Sequence, residues 1–163
     1  TDFNVWPVFS KTILVILMFV GACAGSTGGG IKVSRLLILC KSARKELQLY
    51  LHPNAVKKIK MDDKAIPHEV VRATNMFLFV YIMIFVTSLL IISLDNLDMV
   101  SNFTAIAATL NNIGPGLGAV GPTGNFDTYS YISKAVMIFD MLAGRLEIFP
   151  MLVLFLPDTW RKF

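Results

Sequence analysis

The sequence has 163 residues, 55% of them hydrophobic and 16% charged, with a mean hydropathy of +0.63, whereas soluble domains average roughly 45–50% apolar and about 25% charged. That balance excludes an ordinary water-soluble domain and points to a membrane setting. The net charge of +4 is modest, its placement is more informative than its sum, and no nucleic-acid partner is expected. Cys23 and Cys40 suggest neither a disulfide framework nor a CxxC metal site, and both are expected to be small buried hydrophobes. The chain opens at Thr1 with no initiator methionine and no signal peptide. Its length is expected to hold a few membrane spans, fewer than a complete transporter needs.

Taken in order, Trp6 suits an interfacial anchor and Pro7 a first helical turn. Val8 to Ala24 is apolar apart from Ser10, Lys11 and Thr12 and predicts a first span. The run then enters Gly21-Ala22-Cys23-Ala24-Gly25-Ser26-Thr27-Gly28-Gly29-Gly30-Ile31-Lys32. No straight helix would choose this stretch, because each glycine costs roughly 1 kcal/mol relative to alanine. Helical character resumes from Val33 to Cys40, which predicts two half-helices joined by a flexible break. Arg44 to Glu69 reads as a soluble connection with Lys45, Lys57, Lys58, Lys60 and Lys64, punctuated by Pro53 and Pro67. A solvated face is the simplest reading of such a basic run. Met76 to Leu94 predicts a second span, closed by Asp95 and Asp98.

Ser101 to Leu110 is apolar but far short of the about 20 residues a crossing helix needs. Asn111-Asn112-Ile113-Gly114-Pro115-Gly116-Leu117-Gly118-Ala119-Val120-Gly121 follows, rich in glycine and free of lysine and arginine. Pro122 and Gly124 prevent an immediate helix, and a third span runs from Tyr129 to Leu156. A short helix, an extended glycine-rich loop and a long helix form the layout of a re-entrant pore loop. Non-helical backbone survives at membrane depth only where protein buries it or water bathes it. Glycine lets successive carbonyls aim at one point, so an ion selectivity filter is the first hypothesis. A non-conducting membrane module, whose glycines serve helix packing or assembly, is the alternative.

Ten of the 15 basic residues lie between Lys32 and Arg72, and none lies between Asp95 and Ser133. The positive-inside rule therefore places the basic connection in the cytoplasm and the pore-loop mouth outside. Asp95, Asp98 and Asp127 flank that mouth, either attracting cations or serving as solvated loop acids. Phe3 and Phe126, Ser10-Lys11 and Ser133-Lys134, Met18 and Met141, and Gly21 and Gly144 all pair at an offset of 123 residues, which suggests an internal duplication.

Several other motifs lose their chemistry on inspection. Gly116 to Gly121 satisfies GxGxxG, but it follows a short helix rather than a strand and opens no helix. Ile31 separates Gly30 from Lys32, so the Gly-Lys pair of a phosphate-binding loop is missing. His52 and His68 stand apart from any cysteine cluster and read as surface residues. Asn102-Phe103-Thr104 is a glycosylation sequon in form only, and no Ser/His/Asp arrangement suggests an enzyme.

Gly25-Ser26-Thr27-Gly28-Gly29-Gly30-Ile31-Lys32 resembles the broken second helix of the third repeat in the Trk/Ktr/HKT superfamily of potassium transporters. Asn112-Ile113-Gly114-Pro115-Gly116-Leu117-Gly118 and Gly144-Arg145-Leu146-Glu147-Ile148-Phe149-Pro150 are similar to the fourth filter and last helix of the bacterial Trk branch. The last two motifs favour Trk over the sodium-coupled Ktr branch.

The resemblance implies an all-α membrane protein with M1–pore loop–M2 repeats of a potassium-channel-like fold, present here as an incomplete C-terminal part. Residues 1-50 would be a third-repeat M2 broken at about 21-32, and 51-69 a cytoplasmic linker. Residues 70-163 would be a fourth repeat: M1 at about 70-94, pore helix at about 101-110, filter loop at about 111-121 and M2 at about 129-160. The resemblance further implies that the carbonyls of Asn112, Ile113 and Gly114 replace water around potassium, with Pro115 and Gly116 completing the filter. Gly25, Ser26, Thr27, Gly28, Gly29 and Gly30 would form an intramembrane gate, with Arg145 as a barrier or latch in the permeation path. Asp140 and Glu147, seven residues apart, would share a helix face and pair across helices or with Arg145. No cofactor is expected, and K⁺ is the transported ion. The implied setting is the bacterial inner membrane, with a homodimer of full-length chains and a cytosolic TrkA-type nucleotide-binding ring as partners, and Lys57, Lys58, Lys60 and Lys64 are expected to meet that ring.

Overall fold

A computed structural model describes residues 1–23, 25–26, 28–52, 59–61, 64–146 and 153. Five helices carry the fold: α1 (Val8–Phe19), α2 (Val33–Leu51), α3 (His68–Ile92), α4 (Met99–Leu110) and α5 (Tyr131–Leu146). A two-stranded antiparallel hairpin, β1 (Lys60–Met61) with β2 (Lys64–Ala65), lies in the connection before α3. The sequence gives no sign of this hairpin. The connection itself is shorter than expected, because α2 continues through Arg44 and Lys45 to Leu51.

The short helix α4 is the centre of the molecule. Ser101, Asn102 and every residue from Thr104 to Leu110 are buried, enclosed by α1, α3, α5 and the returning loop. Asp98 caps its start, accepting from the amides of Val100 (3.1 Å) and Ser101 (3.4 Å), which satisfies two of the donors that every helix N-terminus leaves open. Alanines at 105, 107 and 108 let neighbouring helices approach it closely. Phe19 of α1, Phe85 of α3 and Phe103 of α4 close a ring cluster with centroid separations of 5.1–6.1 Å.

Helix α3 buries Val71, Thr74, Phe77, Tyr81, Phe85, Ser88 and Ile92, a stripe at three- and four-residue spacing that marks one helical face. Its opposite face exposes Met76, Phe79, Ile82, Met83, Val86 and Leu90. A helix apolar on its outer face as well as its inner one is matched to lipid, and the stretch from His68 to Asp95 is long and apolar enough to cross a bilayer. Both cysteines are exposed, contrary to expectation. Cys40 lies off the buried stripe of α2, where Ile38 packs inward, and Cys23 lies in the loop after α1.

The offset of 123 residues reappears in the hydrogen bonds. The amide of Trp6 donates to the Phe3 carbonyl at 3.2 Å, as that of Tyr129 does to Phe126 at 3.2 Å. Lys11 and Lys134 donate their amides to Pro7 (3.1 Å) and Ser130 (2.9 Å). Their ammonium groups reach back to the carbonyls of Asn4 (3.2 Å) and Asp127 (3.3 Å). Asp2 and Asn125 accept from the amides of Asn4 (2.9 Å) and Asp127 (3.1 Å). Helices α1 and α5 also begin at matching positions, Val8 and Tyr131. The entries to the two helices thus share these four bonds at the same offset.

Asp140 on α5 is fully buried and accepts from Ser88 of α3 at 2.8 Å, while its second carboxyl oxygen has no partner among the described residues. Its cross-helix partner is a hydroxyl rather than Arg145. Ser88→Ala removes that donor from a buried acceptor. It is expected to cost about 1–3 kcal/mol, read as a lower melting temperature of the full-length gene product in detergent.

Candidate functional site

The chain leaves α4 in a sharp, fully bonded turn. The amide of Asn112 donates to Thr109 (3.1 Å) and that of Ile113 to Ala108 (2.9 Å), so the last carbonyls of α4 are answered by the loop itself. Asn112 sits at φ +53°, the left-handed region that asparagine tolerates better than most residues. Its side-chain amide donates to the Met141 carbonyl of α5 at 3.0 Å. Asn111 is buried, accepts from the Tyr81 hydroxyl of α3 at 2.8 Å and donates to Ala107 at 2.8 Å.

Beyond this anchor, Ile113, Gly114 and Pro115 are exposed. Gly114 has φ +124°, and nothing lies within 4 Å of where its side chain would be. Glycine is needed there for backbone conformation, not for space. Gly116 behaves differently. It is buried, and a side chain on it would press Thr104 Oγ1 and Val120 at 2.8 Å. From Gly116 onward the loop is tied to α4 and to the segment before α1. Leu117 donates to Thr104 Oγ1 (2.9 Å), Ala119 to Ser101 Oγ (3.0 Å), and Gly118 to Asn4 Oδ1 (3.0 Å).

The glycine-rich break lies against the foot of this loop. Helix α1 stops at Phe19 rather than continuing to Ala24, because Val20 pairs in parallel with Ile31. Gly21 donates to Ile31 at 2.9 Å and Val33 to Ala22 at 3.3 Å, so the two ends of the break lie side by side. The expectation of a break with little to fix its backbone therefore needs correction: it is a loop closed at its base. The closure depends on Gly21, where a side chain would lie 2.6 Å from the Gly29 carbonyl oxygen. Gly25 and Gly30 take φ +85° and +81°. At the inner turn, Gly29 sits so close to the Asn111 carbonyl that any side chain would clash, and a side chain on Gly30 would stand 3.1 Å from Asn111 Oδ1. Thr27 lies outside the described residues.

Helix α5 approaches the same point from the other side. Gly144 abuts the Leu110 carbonyl, leaving no room for a methyl group. One turn of backbone, Leu110–Asn111, is thus pressed by glycine from two directions. Arg145 is exposed and borders two spaces. One is a cavity of about 20 Å³ among Ser26, Gly28, Gly30, Lys32, Arg35, Phe77 and Tyr81, and the other a concavity of about 590 Å³ reaching Asn112, Ile113 and Gly114. A second concavity, of about 490 Å³, flanks Ile113 and Pro115 on the α1 side. Arg35, which no motif or spacing singles out, holds its guanidinium 4.0 Å over the Phe77 ring.

The acids of the mouth have structural partners. Asp95 accepts from the Ser130 amide at 3.0 Å, Asp98 caps α4, and Asp127 pairs with Lys134 at 3.5 Å. Tyr129 donates to Asn102 Oδ1 at 3.0 Å. His52 and His68 are exposed and Asn102 is buried. Glu147 to Pro150, the later part of the third span, and Lys57 and Lys58 lie outside the described residues; Lys60 is exposed.

A buried half-length helix feeding an exposed glycine-bearing loop, beside a helix apolar on both faces, defines an all-α membrane protein of the pore-loop class. The family model for TrkH, described as cation transport protein, matches residues 1–162, and the chain belongs to this family. It is 45% identical over 157 residues to the "Trk system potassium uptake protein TrkH" of Escherichia coli K12, covering 96% of this chain and 32% of that relative. It is 35% identical over 161 residues to TrkG of the same strain, covering 99% of this chain and 33% of the relative. The crystal structure of the potassium transporter TrkH from Vibrio parahaemolyticus superposes with a TM-score of 0.85 at 44% identity, over 99% of this chain and 34% of that one. The chain spans about a third of the length of these relatives.

Thr104 is the tie on which the returning loop depends. Thr104→Val keeps the shape and removes the hydroxyl, leaving the buried Leu117 amide without its acceptor. The expected outcome is a loss of about 1–3 kcal/mol in stability together with faster hydrogen exchange at Leu117 and Gly118.

Proposed function

We propose that this chain forms part of a potassium uptake pathway, with Asn112, Ile113 and Gly114 as one wall of the filter and the Gly25–Gly30 loop as the gate beneath it. One observation carries the reading: the exposed run from Ile113 to Pro115 leaves the C-terminal end of a buried helix directly above a glycine-closed loop. A helix C-terminus presents partial negative charge, which suits a cation stripped of water and held by carbonyl oxygens. The potassium transport named for the relatives supports the same reading. Pro115 and Gly116 then shape the loop's return.

Arg145, bordering both the cavity at the gate loop and the concavity at the filter, is placed to act as an electrostatic barrier to cations. The concavities on either side of Ile113 are where the remaining repeats of a complete pore would pack. The distribution of basic residues puts the connection before α3 and the C-terminus in the cytoplasm, and the filter mouth on the periplasmic side of a bacterial inner membrane. The expected partners are the lipid bilayer, a second full-length chain, and a TrkA-type cytosolic ring that meets the basic connection.

Gly114 offers a clean test, because a serine has room there but not the required backbone conformation. Gly114→Ser in the full-length gene product, expressed in cells deficient in potassium uptake, is expected to abolish rubidium uptake or its preference for K⁺ over Na⁺ at unchanged membrane expression. Unchanged uptake and preference would reduce the glycine loop to a structural re-entrant segment.

A further inference from the structure

Tyr81 and Asn111 lie thirty residues apart in sequence and meet in the buried interior at 2.8 Å. The bond fixes one side chain very specifically. Asn111 Oδ1 accepts from the phenol, Nδ2 donates to Ala107 at 2.8 Å, and the residue is 3% exposed. With both ends of the amide engaged, the side chain has one rotamer and one orientation. That matters because the innermost part of the glycine-rich loop rests on this residue. Gly29 touches the Asn111 carbonyl, and Gly30 faces Asn111 Oδ1. The loop meets the surface that the Tyr81 hydroxyl holds in place. Tyr81 also lines the small cavity beside Gly28, Gly30 and Arg145.

We propose that Tyr81 is a positioning residue for the gate. By orienting Asn111 it forms the seat on which the glycine loop closes, and it sets how often that loop is open without setting which ion passes. The inference rests on the reading of the 25–30 loop as a gate. The carbonyl-bearing residues Ile113 and Gly114 lie beyond Asn112, whose own anchor runs to Met141 of α5 at 3.0 Å. The loop seat and the filter wall therefore hang on separate hydrogen bonds, one to α3 and one to α5, and their effects are separable.

The test uses the full-length gene product reconstituted in proteoliposomes without regulatory partners, with rubidium flux as the measure of opening and Na⁺ competition as the measure of selectivity. Tyr81→Phe is expected to raise resting flux several-fold with discrimination unchanged. Asn111→Ala should do the same, and adding Tyr81→Phe to Asn111→Ala should change nothing further, because the phenol acts through that amide. Asn111→Ala also carries the test if Tyr81→Phe fails to assemble. Gly29→Ala, which cannot rest on the Asn111 carbonyl, reports on the gate itself. If Gly29→Ala raises flux and neither Tyr81→Phe nor Asn111→Ala does, the gate stands and the seat is wrong. If none of the three raises flux, the gate reading falls and this inference with it. Loss of K⁺-over-Na⁺ discrimination in Tyr81→Phe, or additive effects in the double variant, would overturn the separation of seat from filter.

Discussion

The C-terminal end of α4 is touched by backbone from two sides, Gly144 against the Leu110 carbonyl and Gly29 against the Asn111 carbonyl. Contacts this close exist only where both approaching residues lack a Cβ. They fix three things together: the depth at which the short helix stops, the place where the loop after α1 must turn, and the height of α5 beside them. Everything that follows Asn111 starts from that point. The glycine-bearing loop leaves it toward Ile113 and Gly114, and its return is fastened to α4 by Thr104 and Ser101. The glycines of this chain therefore divide by purpose. Gly21, Gly29 and Gly144 provide closeness, whereas Gly25, Gly30 and Gly114 provide left-handed backbone.

Burying α4 raises a problem that the membrane setting sharpens. A helix of 12 residues ending inside the fold has open donors and acceptors at both ends, with little water to satisfy them. The chain answers with short polar side chains from α4 and its two flanking caps. Asp98 caps the start, Thr104 and Ser101 take amides of the returning loop, and Asn111 closes the end. These residues make α4 look only moderately apolar in sequence, yet it is the most deeply buried helix described. Helix α3, whose central stretch is long and apolar enough to cross a bilayer, leaves a whole face outward. In both helices the polar side chains turn inward, Thr74, Tyr81 and Ser88 from α3 and Ser101, Asn102, Thr104 and Thr109 from α4, while the outward face of α3 is apolar.

This arrangement bears on which features were legible in advance. The length of α3, the break after α1 and the re-entrant character of the segment from 101 to 121 follow from hydrophobic run lengths and glycine spacing, which are local properties. The 123-residue offset was legible too, because Lys11 and Lys134 recur with their neighbours, and each lysine reaches the carbonyl seven residues before it. The early end of α1 was not, because Val20 leaves the helix to pair with Ile31, a partner eleven residues on. Nor was the hairpin at Lys60–Ala65, whose charged residues read as a plain solvated connection. Nothing in the sequence pairs Tyr81 with Asn111. Their importance comes from where α3, α4 and the glycine loop cross, and no single stretch of sequence encodes a crossing.

The distribution of charge around the site bears on what kind of ion it suits. From Asn111 to Gly121 the chain has no acidic residue, and Asp95, Asp98 and Asp127 at the mouth are engaged in capping or pairing. On the reading proposed, a wall of carbonyl dipoles offers partial charges, and the full charges of Asp127, Lys134 and Arg145 stand on the border of the concavity beside it. Divalent cations hold their water strongly and are usually bound by carboxylates, so such a wall compensates poorly for stripping them. A monovalent ion loses its shell at less cost and leaves more readily, which conduction requires as much as binding. On the glycine-loop side of Asn111 the sign reverses, for Lys32, Arg35 and Arg145 border the cavity beside that loop. On the pathway proposed, a cation leaving the carbonyl wall meets basic side chains while the loop is seated, so loop and charge oppose its passage at the same depth.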